Sequence, residues 1–149
     1  MFEKALILAT KAHMGQLDKG GYPYILHPIR VMLGCKHMNE KTVAILHDTL
    51  EDSTLTAQDL LNKGFPPLIV EAVVCLTRDK NEDYLEHIHK VAKNPLATAV
   101  KLSDLADNMD LSRLPGLTPK DFQRLERYLR AKLILEAAQQ EHNKKTTSI

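Results

Sequence analysis

His47 and Asp48 stand side by side, and Glu51 and Asp52 follow within the next four positions. The segment from 42 to 52 reads ThrValAlaIleLeuHisAspThrLeuGluAsp. On a helix Glu51 lies one turn from both His47 and Asp48, and Asp52 lies one turn from Asp48. Three carboxylates on one turn repel one another, and each is costly to bury alone. A divalent metal ion removes that conflict, because neutral imidazole and ionised carboxylate are its usual ligands. The same residues could also form a solvated acidic helix end. The apolar lead-in argues instead for a helix that points into the protein.

Two other segments offer partners. His27 directly precedes Pro28, which restricts its backbone and lets the ring project from a fixed point. Alone, such a histidine would be a cap or a surface residue. The segment from Lys101 to Met109 carries Leu102, Leu105, Ala106 and Met109 at helical spacing. Lys101, Asp104 and Asn108 form a polar stripe beside them. An ordinary amphipathic helix with a Lys101–Asp104 ion pair accounts for this pattern. So does a helix whose Asp104 binds a metal while Lys101 and Asn108 face a phosphate. Together His27, His47, Asp48 and Asp104 supply two nitrogen ligands and at least two oxygen ligands from three helices. That donor set suits Mn²⁺, Fe²⁺, Co²⁺, Ni²⁺ or Zn²⁺ and leaves positions open for water and substrate.

The elements that must position these residues are helical. Residues 2 to 13 read as a buried helix. A loop with three glycines and a proline fills 15 to 24. Pro28 is expected to open a second helix, to about residue 38. A third spans about Glu40 through Glu51. Thr56 and Asp59 cap a short fourth. Pro66-Pro67 open a fifth, carrying Ile69, Val70, Ala72, Val73 and Leu76. Asn81 reads as the N-cap of a sixth, to about Lys93. Pro95 opens a seventh, to about Leu111, and Thr118-Pro119 open an eighth, to about Gln140. No alternating Val/Ile/Thr-rich run argues for a sheet. The expectation is an all-α, compact single domain of about eight helices over 1–142, with a polar, frayed tail over 143–149.

Composition excludes several functions. The chain has 149 residues, 44% of them apolar and 26% charged, which is globular composition with room for one core. A net charge of +1 argues against a broad DNA-binding face. The absence of Trp and the few aromatics argue against a stacking platform for single-stranded nucleic acid. Cys35 and Cys75 lie far apart in apolar runs and read as reduced core thiols. No apolar run of membrane-spanning length and no cleavable leader is present, so a cytoplasmic protein is expected.

Four motifs in order carry a resemblance. They are AlaHisMetGlyGln at 12–16, ProTyrIleLeuHisPro at 23–28, HisAspThrLeuGluAsp at 47–52 and LysLeuSerAspLeuAlaAspAsnMet at 101–109. The chain resembles the HD-domain metal-dependent phosphohydrolases, and most closely the hydrolase domain of the RelA/SpoT family and its small stand-alone relatives. The resemblance spans roughly residues 5 to 135. It implies an HD-type helical array and hydrolysis of the 3′-pyrophosphate of guanosine alarmones such as ppGpp, with Mn²⁺. By the same resemblance His27, His47, Asp48 and Asp104 bind the metal. Glu51 and Asp52 hold and deprotonate the attacking water. Lys19, Lys101 and Asn108 face the nucleotide. A different phosphohydrolase, acting on another nucleotide or a redox dinucleotide phosphate, is the alternative enzyme. A non-catalytic nucleotide-binding regulatory module is the third reading; an intact water-activating pair disfavours it. This chain departs from the family at three places. The basic residue two places after the loop Gln is Asp18. The Asp-Arg-Leu-His-Asn pattern of long relatives is AspLeuAlaAspAsn, which brings Asp107. The Arg after Asn-Met is Asp110. These changes predict a substrate wall more acidic than that of alarmone hydrolases.

Overall fold

A computed structural model describes residues 1–147. It contains nine α-helices and one 3₁₀ turn among the described residues. They are α1 (Phe2–Ala12), α2 (Leu26–Leu33), α3 (Met38–Leu46), α4 (Thr49–Asp52), α5 (Ala57–Asn62), α6 (Pro67–Leu76), α7 (Tyr84–Ala92), α8 (Pro95–Asn108) and α9 (Pro119–Thr147). The 3₁₀ turn Leu111–Arg113 links α8 to α9. The only strand-like pairing among the described residues is one bridge, Leu17 to Pro23, across the 15–24 loop.

α3 is the centre. Thr42 through Leu46 are all fully buried, so the helix is enclosed on every side. It packs against α1, α2, α6 and α8. α9 closes the other side against α7 and α8, with Ala131 and Leu135 turned inward. All five apolar residues expected on α6 are buried. Both cysteines are free, Cys35 buried and Cys75 partly so. No described helix is long and apolar enough to cross a membrane.

Several boundaries differ from expectation, each for a local reason. α2 starts two residues before Pro28 and ends at Leu33, not near 38. Proline in a first turn lacks only an amide that has no intrahelical partner there. Past Gly34 the chain is taken over by a cap of the next helix. The Glu40 carboxylate accepts from the amides of Lys36 and His37, at 3.0 and 3.2 Å. Lys41 Nζ caps the end of α2, donating to the carbonyls of Met32 (3.2 Å) and Cys35 (2.6 Å). Asp83, not Asn81, caps α7, accepting from the Glu86 amide. α9 runs past Gln140 to Thr147, so most of the expected tail is helical, and residues 148–149 lie outside the described part.

The expected third helix is split, which raises the count from eight to nine. α3 stops at Leu46 because side chains take the carbonyls that a continuing helix would use. His47 Nδ1 lies 2.6 Å from the Ala44 carbonyl, and the His47 amide turns to the same oxygen. In an unbroken helix that carbonyl would accept from the Asp48 amide. Thr49 Oγ1 donates to the Leu46 carbonyl at 2.7 Å.

Candidate metal centre

Three elements deliver the four expected ligands to one place. His27 comes from the first turn of α2. His47 and Asp48 come from the break between α3 and α4. Asp104 comes from the inward face of α8. α2 and α8 can approach because Gly34 sits on α8 at Ser103, where an added Cβ would collide with the Ser103 hydroxyl. That hydroxyl donates to the Val31 carbonyl of α2 at 2.7 Å. The helical stripe on α8 is rotated from expectation. Asp104 is buried, while Ala106 is exposed.

The distances are short. His27 Nε2 lies 3.0 Å from Asp104 Oδ1 and 3.7 Å from Asp48 Oδ2. His47 Nε2 lies 3.1 Å from Asp48 Oδ2 and 3.5 Å from Asp104 Oδ1. One atom each of His27, His47 and Asp104 lies within 4.8 Å of the others, and all three residues are buried.

The donor set fits a divalent cation. A carbonyl only accepts, so His47 Nδ1 carries the proton that meets Ala44. Its Nε2 is then a lone pair, buried and without a hydrogen-bond partner. His27 Nδ1 lies 2.7 Å from Asp107 Oδ2, which leaves its Nε2 to the cluster in the same way. Tyr24 donates to Asp48 Oδ2 at 2.6 Å. Lys101 Nζ and Asn108 Nδ2 donate to the two oxygens of Asp104, at 2.7 and 3.2 Å. Ligands whose outer atoms are tied down this way are typical of metal sites.

The electrostatics agree. Burial alone would lower both imidazoles. Asp104 and Asp107 outweigh it and raise His27, while Asp48 and Asp104 raise His47 well above its usual value. Burial alone would raise the carboxyls. His47 instead holds Asp48 at about 2, and Lys101 with the two histidines holds Asp104 well below the carboxylate range. Two carboxylates facing two imidazoles draw positive charge, as protons or as a metal ion.

The expected water-activating pair sits beside this cluster on α4. Glu51 Oε1 accepts from the Arg78 amide at 2.6 Å, and burial raises its carboxyl despite that bond. Asp52 Oδ2 accepts from Gln16 Nε2 at 3.2 Å, and Gln16 Oε1 meets His13 Nδ1 at 2.9 Å. The first motif thus reaches Asp52 through Gln16, a link that neither residue's spacing in the sequence signals. A cavity of about 330 Å³ opens next to the cluster and is lined by Lys19, Tyr24, His27, Asn108, Arg124 and Tyr128, among others. Lys101 lies behind Asp104 and is not part of that lining.

Asp18, Asp107 and Asp110 all reach the cavity wall, each with a local partner. Asp18 Oδ1 accepts from the amides of Gly20 and Tyr22, both at 2.9 Å, and closes the loop. Gly21, with φ +84°, makes that turn possible. Asp107 pairs with Arg30 and Arg113, and Asp110 pairs with Arg113. All three acids line the cavity, each bonded to a local donor, and Lys19, Arg30, Arg113 and Arg124 line it too, so the wall carries both signs.

No family model matches the chain. Over 124 residues it is 34% identical to the GTP pyrophosphokinase rsh of Brucella melitensis, covering 73% of this chain and 16% of that protein. It is 32% identical to the guanosine-3′,5′-bis(diphosphate) 3′-pyrophosphohydrolase of Aquifex aeolicus, covering 72% and 17%. It is 34% identical to the bifunctional (p)ppGpp synthase/hydrolase SpoT of Escherichia coli, covering 83% and 19%. The chain therefore spans less than a fifth of the length of these relatives. A solved structure of a metazoan SpoT ortholog, described as hydrolysing ppGpp, aligns with a TM-score of 0.71 and 23% identity, over 95% of this chain and 94% of that one. The fold is the HD-type helical array. By sequence the chain is a homologue of the RelA/SpoT (p)ppGpp synthetase and hydrolase proteins.

Proposed function

We propose that this chain is a cytoplasmic, metal-dependent phosphohydrolase that removes the 3′-pyrophosphate of guanosine alarmones. The observation that carries the reading is the convergence of two imidazole Nε2 atoms with Asp48 and Asp104 beside a cavity of nucleotide size. The activities for which the Aquifex and Escherichia relatives are named support the substrate class. His27, His47, Asp48 and Asp104 would hold one divalent ion, and Mn²⁺ suits this mixed oxygen and nitrogen set. Such an ion, when bound, lowers the pKa of water and offsets charge on a phosphoryl oxygen.

The chain's own residues do the rest. Glu51 or Asp52 takes a proton from the attacking water. Glu51 is held through one oxygen by the Arg78 amide, which leaves the other for that proton. Burial raises the Glu51 carboxyl, and a higher pKa makes a carboxylate a stronger base. The water oxygen forms a bond to the phosphorus on O3′ as the bond from that phosphorus to O3′ breaks. O3′ gains a proton, and pyrophosphate leaves. Lys101, outside the cavity lining, donates to Asp104 and helps keep that carboxylate charged. Lys19 and Asn108 contact the nucleotide from the cavity wall.

The test incubates the purified protein with Mn²⁺ and guanosine 3′,5′-bispyrophosphate and measures pyrophosphate and GDP. Other nucleotides and a redox dinucleotide phosphate run in parallel. The expected result is equimolar release from the alarmone. Release only from another substrate, or none, overturns the reading.

A further inference from the structure

We infer that Asp107 is the positioning residue that fixes His27 as a metal ligand. The inference rests on the proposed metal site. A neutral imidazole carries one proton on one of two nitrogens. His27 Nε2 faces Asp104 Oδ1 at 3.0 Å and Asp48 Oδ2 at 3.7 Å. Those carboxylates would hold the proton on Nε2 and so block the lone pair that a metal needs. Asp107 Oδ2, at 2.7 Å from Nδ1, draws the proton to the far side of the ring.

Asp107 is itself held in place. Its Oδ1 accepts from Arg30 Nε at 2.7 Å and from Arg113 Nη2 at 3.1 Å. Its Oδ2 accepts from Arg30 Nη2 at 3.2 Å. Arg30 stands one turn after His27 on α2, and Asp107 one turn after Asp104 on α8. The carboxylate therefore ties both ligand-bearing helices together on the outside of the cluster. Its side chain is 10% exposed, so water competes weakly for these bonds. His47 meets the same requirement differently, through the Ala44 carbonyl. A carboxylate also makes the ring a stronger donor to a metal than a carbonyl does.

A purely structural role, as a salt bridge to Arg30 and Arg113, is the competing account. Mn²⁺ is titrated into metal-free wild type, Asp107→Ala, Asp107→Asn and Arg113→Ala, with free Mn²⁺ read by its EPR signal. Asp107→Ala should bind about 10–100-fold more weakly. Asp107→Asn, which keeps a neutral acceptor, should fall between it and wild type, because charge-assisted bonds are the stronger. Arg113→Ala breaks an ion pair but spares the His27 bond, and should keep wild-type affinity. With Co²⁺, proton NMR of wild type should give two shifted, exchangeable imidazole N–H signals, and Asp107→Ala only one. Equal affinity in wild type and Asp107→Ala, with both signals kept, overturns the assignment. If Asp107→Ala does not fold, equal affinity in Asp107→Asn overturns it. Wild type that binds no divalent ion overturns the metal site itself, a different failure.

Discussion

At the scale of single residues, the proposed ligands and the proposed bases have different partners. Asp48 and Asp104 converge on both histidines, whereas Glu51 and Asp52 are anchored elsewhere, on Arg78 and Gln16. Asp104→Ala should therefore lose both Mn²⁺ and turnover. Glu51→Gln should keep Mn²⁺ and lose turnover by about 10²–10⁴-fold if it is the base. Metal analysis beside a pyrophosphate assay checks both, and an active, metal-free Asp104→Ala protein would remove Asp104 from the site. Asp107 gives a pH prediction. Burial would raise its carboxyl, but the bonds from His27 and Arg30 outweigh that and hold it at about 2. A folded value below the unfolded one means its stabilisation is complete above the ordinary carboxylate range near 4 and is lost as the pH falls toward about 2. Denaturant titrations from pH 5 to pH 2 should show the gap between wild type and Asp107→Asn closing over that window. A constant gap would mean Asp107 contributes through packing alone. The convergence of His27, His47, Asp48 and Asp104 was legible in the sequence because each sits in a short pattern. Asp107 was not, because its acceptor role depends on a helix 80 residues away.

At the scale of elements, the helices were legible and several of their ends were not. Apolar runs and the prolines at 67, 95 and 119 locate α6, α8 and α9 well. The ends of α2 and α3 depend on side chains that replace backbone partners, Lys41 in one case and His47 in the other. No propensity rule sees such bonds. The contact between α2 and α8 at Gly34 is the element-level support of the site. Gly34→Ala would push against Ser103 and should destabilise the fold by about 1–3 kcal/mol. It should also weaken Mn²⁺ binding, because the same two helices carry His27 and Asp104. Thermal melts and a Mn²⁺ titration of the variant check this. A normal melt with normal affinity would show that the helices part without cost.

At the scale of the molecule, the proposed ligands lie on segments that are distant in the chain, at 27, 47–48 and 104. An ion held by all of them should stabilise the fold as a whole. At a hundredfold excess over its Kd the gain is about 2.7 kcal/mol. For a chain of this size that corresponds to roughly 5–10 °C in Tm. Differential scanning with Mn²⁺ and then with excess chelator measures it, and a Tm indifferent to both would count against the site. The overall class was readable from the lack of alternating strand patterns and the order of four motifs. The charge of the cavity wall was not, since sequence counts acids but does not pair them with Arg30 or Arg113.

His47 does two jobs whose loss cannot be separated. Its ring holds the Ala44 carbonyl and so sets the phase at which α3 hands over to α4. An α-helix turns by about 100° per residue. If alanine replaced the ring, the freed carbonyl could accept the Asp48 amide and the helix could run on. Asp48 would then swing away from the cluster although its own codon is untouched. His47→Ala should thus slow hydrogen exchange at the Asp48 amide, and cost more Mn²⁺ affinity than His27→Ala, which leaves the handover alone.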